Sequence, residues 1–160
     1  MSWREERAKA PNYLLTDIRR KHFDEIVIGE EIPTRPCKLT KEMIQKFAEA
    51  IEDRNPLYFD EEYAKKSPFG GLIAPPTIHA LLAFECTFDE DDVRATGIIN
   101  MGQMWVYNVP ARPGDTITLK RTLRDKYVRG NRLFVHHENI FFNQKGEVIC
   151  SGGGWRIHER

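Results

Sequence analysis

The 160-residue sequence has no net charge to speak of: Lys plus Arg and Asp plus Glu number 24 each. No long-range field draws the chain to nucleic acid or to an anionic membrane. Cysteine is scarce, and Cys37, Cys86 and Cys150 lie far apart with no Cys-x-x-Cys pair among them. That argues against a disulfide framework and against a structural zinc site, and reduced thiols in a cytoplasmic protein are expected. Long apolar runs are missing too. The most apolar helical stretch is Thr77-Ile-His-Ala-Leu-Leu-Ala-Phe84, far short of the roughly 20 residues that cross a bilayer. The N-terminus, Met1-Ser-Trp-Arg-Glu-Glu-Arg, is charged and lacks the apolar segment of a secretory signal. Repeats, low-complexity tracts and linkers are also absent, so residues 1–160 are expected to form one domain. Residues 1–22, interrupted by Pro11 and Asn12, are an N-terminal extension to it. An apolar share of 41% and a charged share of 30% are those of an ordinary globular protein, and the length suffices for a substantial core.

What is present falls into two parts. Residues 23–32 read as a short strand entering a turn at Gly29. Thr40 is placed to cap a helix over residues 41–52, with Glu42 near the positive end of its dipole. Met43, Ile44, Phe47, Ala48 and Ile51 recur at helical spacing on its buried face. The helix must stop before Asn55-Pro56, because the residue preceding proline is pushed out of the α region. A second short helix spans residues 60–66, and Pro68-Phe-Gly-Gly71 makes a turn. Pro75-Pro76-Thr77 opens a compact helix over residues 77–86, since proline is tolerated in a first turn. Its near-continuous apolar content predicts burial on most sides.

The last third changes character. Residues 98–108, 115–127, 133–143 and 147–158 are rich in β-branched and aromatic residues. They are separated by Pro110-Ala-Arg-Pro-Gly114, Arg129-Gly-Asn131 and Asn143-Gln-Lys-Gly146, all turn formers. Four antiparallel strands after one apolar helix imply an α+β fold with the sheet wrapped around that helix.

The most informative segment runs from Phe47 to Pro76. Asp53-Arg-Asn-Pro-Leu-Tyr-Phe-Asp60 is followed by Ala64 and then by Phe69-Gly-Gly-Leu-Ile-Ala-Pro-Pro76. This pattern resembles the signature of the MaoC-like dehydratases and (R)-specific enoyl-CoA hydratases. That signature is a helix ending in Gly-Asp-x-Asn-Pro-Leu-His-x-Asp, then Phe-Gly-x-x-Ile-Ala-His-Gly. Asp53, Asn55, Pro56, Leu57, Asp60, Ala64, Phe69, Gly70, Ile73 and Ala74 match in register. The resemblance extends over residues 23–158, including Arg112-Pro-Gly-Asp-Thr116 before a long strand. It implies a hot-dog fold, a curved antiparallel sheet around a central helix. It also implies dimerisation, and an acyl-CoA or acyl-carrier thioester bound between two such units. No metal or organic cofactor is implied.

The family's chemistry adds water across a 2-enoyl thioester, or removes it. A carboxylate and an imidazole gripping one water can deliver both the base and the proton. Backbone N–H groups at a helix start can hold the charge that develops on the thioester oxygen. By resemblance, the family's catalytic Asp corresponds to Asp53 and its His to Tyr58. At neutral pH a phenol is a poor base. The Gly before the Asp becomes Glu52, and the His-Gly before the central helix becomes Pro75-Pro76, of which Pro76 has no N–H to donate. The candidate residues are thus Asp53 and Tyr58 for catalysis, and Asn55, Phe69, Gly70, Gly71, Ile73, Pro75 and Pro76 for substrate.

Each has an alternative reading. Asp53 can be a base or the polar end of a helix before a turn. Asn55 and Pro56 can simply fix the loop, and Tyr58 can fill the vacated imidazole site. His79, on an apolar helix, reads as a core histidine, while the neighbours His136 and His137 must point to opposite faces of a strand. His22 and His158 carry no signal. Asp89-Glu-Asp-Asp92 reads as a solvated loop, and Gly152-Gly-Gly154 as a bulge or tight crossing. Three functions follow. The chain is a component of an enoyl-thioester hydratase or 3-hydroxyacyl-thioester dehydratase, pairing with a second hot-dog unit that carries an intact Asp-His pair. Otherwise it is a self-sufficient hydratase using Asp53. The third is a non-catalytic acyl-CoA-binding dimer, with thioesterase activity as a further enzymatic rival.

Overall fold

The computed structural model describes residue 24 and residues 27–32, 34–87 and 98–159. The expectations for residues 1–22, for His22, for the side chain of His158 and for the acidic run at 89–92 lie outside these.

Among the described residues the chain order begins with β1 (Glu31–Ile32), β2 (Cys37–Lys38), α1 (Lys41–Ala50), a 3-10 turn (Pro56–Tyr58) and α2 (Glu61–Lys66). A second 3-10 turn (Pro76–Ile78) runs into α3 (His79–Glu85). Four long strands follow: β3 (Ile98–Tyr107), β4 (Thr116–Arg129), β5 (Arg132–Phe142) and β6 (Val148–Glu159). The sheet order is β1-β4-β5-β6-β3, with β2 also on β4, and the pairings are antiparallel. Gly130, at φ 60°, lets a two-residue loop join Arg129 to its cross-strand partner Arg132, as a primed hairpin turn requires.

Alternation along β4 puts Ile117, Leu119, Arg121 and Leu123 inside and Thr116, Thr118 and Lys120 outside, the period-two pattern of a half-buried strand. Against that inner face pack Ile78, Leu82 and Cys86 from α3 and its ends, Ile44 and Ala48 from α1, and Phe141 and Cys150 from β5 and β6. Farther along the sheet, the buried Arg121 donates from Nε to Asn139 Oδ1 at 2.7 Å, and burial lowers its pKa to about 10. Beyond it Leu123, Leu133 and Val135 form a second, smaller cluster.

Three expectations need correction. Of the described residues in the strand expected over 23–32, Glu31–Ile32 form the strand paired with β4, since Ile28 and Gly29 are already in a turn. α1 ends at Ala50, before the Asn-Pro boundary, because Ile51 and Glu52 curl into a capping turn. α3 is not buried on most sides. Ile78, His79, Leu82 and Cys86 face the sheet, whereas Ala80 and Phe84 are exposed, because the sheet covers one face of the helix only.

The three consecutive glycines on β6 are explained by how closely its neighbours approach. A Cβ on Gly152 would lie 2.1 Å from Met104 O on β3, on Gly153 1.9 Å from His137 O on β5, and on Gly154 2.0 Å from Gly102 O on β3. β6 is held from both sides, by β5 and β3, and no side chain fits at those points.

Candidate functional site

The signature segment is built from capping turns. Thr40 accepts the Met43 N–H at 3.1 Å and starts α1. At the far end Glu52 is left-handed, at φ 57°. Its N–H reaches Glu49 O at 3.0 Å, while the Asp53 N–H reaches Ala48 O at 2.9 Å. These are the two bonds of a Schellman cap, and they deliver Asp53 half-buried to the start of the next turn. Asp53 Oδ1 then accepts the Asn55 N–H at 3.1 Å, and Asn55 Oδ1 accepts the Leu57 N–H at 3.1 Å. Asp60 caps α2 by accepting from Glu62 and Tyr63 at 2.9 and 3.0 Å. Each acceptor satisfies a backbone donor that a helix or turn start leaves orphaned.

Within this frame Asp53 and Tyr58 come together. Tyr58 is 5% exposed and packs into the main core. Burial pushes its phenol pKa upward, and the adjacent Asp53 carboxylate adds to that through its charge and as hydrogen-bond partner. The phenol therefore keeps its proton at neutral pH. An imidazole at this position could exchange protons near neutrality; this pair cannot.

The remaining predicted residues stand elsewhere. Phe69, Ile73, Pro75 and Pro76 line one recess with Tyr107, Val109, Pro110 and Ile149. Gly70 and Gly71 line a neighbouring, more polar groove with Lys65 and Arg112. Asp53, Asn55 and Tyr58 line neither. The second half of the signature is tied to the loop before β4. Arg112 Nη2 donates to Phe69 O at 2.6 Å, and the Ala74 N–H donates to Ala111 O at 2.8 Å.

The recess has a polar side that the sequence did not reveal. His79 is buried, its ring lies 4.0 Å from that of Trp105, and its Nδ1 is 3.1 Å from Pro76 O and 3.2 Å from the Tyr107 hydroxyl. Burial lowers the His79 pKa, opposed by its bond to Pro76 O, so the ring is neutral at neutral pH. Tyr107 comes from the end of β3, 28 residues along the chain from His79. A signal was available in the alternation of Gln103, Trp105 and Tyr107 on one strand face, but not the helix they would meet. Of the other histidines, His136 lies against Trp155, ring centroids 5.0 Å apart. Among the described residues no group of three or more His, Cys, Asp or Glu side chains is arranged to hold a metal ion. No helix there is long and apolar enough to cross a membrane.

Comparison with known proteins places this geometry. Residues 26–151 match the family model described as FAS1-like, dehydratase domain region. A UPF0336 protein of Thermobifida fusca is 31% identical over 127 residues, covering 76% of this chain and 83% of that one. The crystal structure of a MaoC-like dehydratase from Rhodospirillum rubrum superposes with a TM-score of 0.72 at 27% identity, covering 86% of this chain and 95% of that chain. A C-terminally truncated HadBC (3R-hydroxyacyl-ACP dehydratase) complex from Mycobacterium tuberculosis shares the fold at a TM-score of 0.68 and 24% identity, over 82% of this chain and 97% of that chain.

Proposed function

Because the chain belongs to the FAS1-like dehydratase-domain family, with the hot-dog fold of the MaoC-like dehydratases, we propose that it is one subunit of a two-unit acyl-thioester hydratase or 3-hydroxyacyl-thioester dehydratase. Its partner in this reading is a second hot-dog unit carrying an intact Asp-His pair. The reaction joins water to a 2-enoyl thioester, its oxygen to the β-carbon and a proton to the α-carbon, or runs in reverse. The observation that carries the reading is the state of Tyr58, to which the resemblance assigns the imidazole position: it is buried, and burial and the Asp53 charge keep its phenol protonated. A carboxylate beside a protonated phenol lacks a second group that titrates near neutrality to relay a proton to and from water.

Two further features support a paired subunit. Among the described residues β3 is an edge strand, bonded to β6 alone, and Ile99, Met101, Met104 and Val106 along it are exposed, as is Phe84 on α3. An exposed apolar edge of this kind invites association. The HadBC structure, a complex of this fold, offers a precedent for two such units working together. On this reading the whole chain is one hot-dog domain of the cytoplasm, residues 1–22 are an extension to it, and the thioester lies between the two units. Asn55 acts as a loop-forming residue, and Phe69, Ile73, Pro75 and Pro76 shape the acyl-binding wall.

The test is hydration of crotonyl-CoA by the purified chain alone and with a co-expressed hot-dog partner that retains Asp-x-Asn-Pro-Leu-His. Turnover should appear only in the complex. Asp53→Asn in this chain should change it less than about twofold, against the 10²–10⁴-fold loss that removing a working base brings. Full activity from the lone chain, abolished by Asp53→Asn, would overturn the proposal in favour of a self-sufficient enzyme.

A further inference from the structure

The proline at position 76 removes a backbone donor from the start of the central helix, yet the recess beside it contains an unspent one. Pro76 O is a carbonyl and can only accept, so its 3.1 Å contact with His79 Nδ1 places the ring proton on Nδ1. The same Nδ1 lies 3.2 Å from the Tyr107 oxygen. With Nδ1 as the donor, that contact makes the phenol oxygen an acceptor, as in a three-centre hydrogen bond. The hydroxyl proton of Tyr107 then has no other partner among the described residues. It is also retained at neutral pH, because burial and then the nearby Cys150 push the phenol pKa upward. The group is accessible as well as free: Tyr107 is 45% exposed and forms part of the recess wall with Pro75 and Pro76. His79 cannot swing away, held between Pro76 O and the face of Trp105.

We propose that the Tyr107 hydroxyl, oriented by His79, donates a hydrogen bond to the thioester carbonyl oxygen of an acyl ligand in this recess, doing the work of the N–H that Pro76 lacks. This rests on the thioester-binding reading given above. No bond is made or broken by Tyr107. It supplies a fixed dipole where negative charge grows as the α-carbon gains or loses its proton, in a recess whose other walls are almost wholly apolar, which strengthens it. His79 is a positioning residue in this scheme. It accounts for a histidine at the first position of a helix whose next five residues are apolar, which packing alone would not demand.

Crotonyl-CoA labelled with 13C at the carbonyl, bound to the chain in complex with its hot-dog partner and followed by isotope-edited infrared spectroscopy, tests this directly. The carbonyl stretch should move to lower frequency on binding. Tyr107→Phe should abolish the movement while weakening binding about two- to tenfold, the amount carried by one hydrogen bond. Asn108→Ala, on the same recess wall, should leave the movement intact. A shift that persists in Tyr107→Phe, or that disappears in Asn108→Ala instead, overturns the assignment and leaves the functional reading standing. If the label does not bind the wild-type complex at all, the thioester reading itself fails, and this assignment with it.

Discussion

The two halves of the signature segment differ in how far away their partners lie. From Thr40 to Asp60 every turn is closed by a neighbour in sequence: Thr40 on Met43, Asp53 on Asn55, Asn55 on Leu57 and Asp60 on Glu62 and Tyr63. From Phe69 to Ala74 Ser67 closes the first turn on the Phe69 and Gly70 N–H groups, but the rest is tied from afar, by Arg112 on Phe69 O, by Leu57 O on the Ile73 N–H and by Ala111 O on the Ala74 N–H. The glycines of β6 extend the second kind, since what they must avoid lies on other strands. A self-capped segment keeps its shape when the rest of the protein is altered, and with it the Asp53–Tyr58 geometry. A segment closed from afar inherits whatever the sheet does, and the recess belongs to that kind.

The largest effect should therefore come from the sheet. In Gly153→Ala the new methyl would sit 1.9 Å from His137 O and 2.9 Å from the carbonyl carbon of the same residue. Both are backbone atoms, so β5 and β6 must part rather than a side chain turn aside. We expect a loss on the order of 3 kcal/mol or more in urea unfolding, the range of severe steric strain. A variant as stable as the wild type would show that β6 has room to relax, and the contrast between the two regions would collapse. Asp60→Ala probes the other half. It removes the acceptor of two N–H groups at the start of α2 and should cost about 1 kcal/mol. The loss should leave the recess untouched, so acyl-CoA binding by the folded fraction should be unchanged. A matching loss of affinity would mean the two halves are coupled after all.

The same division decides what could be read from the sequence. Thr40 and Asp60 act within three residues of themselves, so α1 and α2 begin where the sequence places them, or one residue away. The four strands lie within two residues of their expected bounds, because alternation and turn residues are local too. Burial of the central helix was overestimated. Its own composition is apolar all round, and only the sheet decides that Ala80 and Phe84 remain exposed. Asp53 and Tyr58, five residues apart, were recognisable as a pair from the motif. The His79–Tyr107 contact spans 28 residues and the Arg112–Phe69 contact 43. Neither is written in any local pattern, and both appear only once the sheet has curved around the helix.

The smallest predicted effect has the opposite sign. Glu52 holds the left-handed position of the cap that ends α1, at φ 57°, where a side chain crowds its own carbonyl and costs roughly 1 kcal/mol. Glycine adopts this conformation without that cost, but it also widens the unfolded ensemble. Position 52 is exposed, and among the described residues no hydrogen bond or ion pair from the Glu52 side chain opposes the change. Glu52→Gly should thus stabilise the protein by at most about 0.5 kcal/mol net, seen as a slightly higher urea midpoint with an unchanged m-value. Because the Asp53 N–H keeps its bond to Ala48 O, the carboxylate should stay beside Tyr58. The Tyr58 phenol should then titrate as high in the variant as in the wild type when followed by its ultraviolet absorbance. A stabilised variant with a lowered phenol pKa would mean that Glu52, rather than the self-closed turn, holds Asp53 in place.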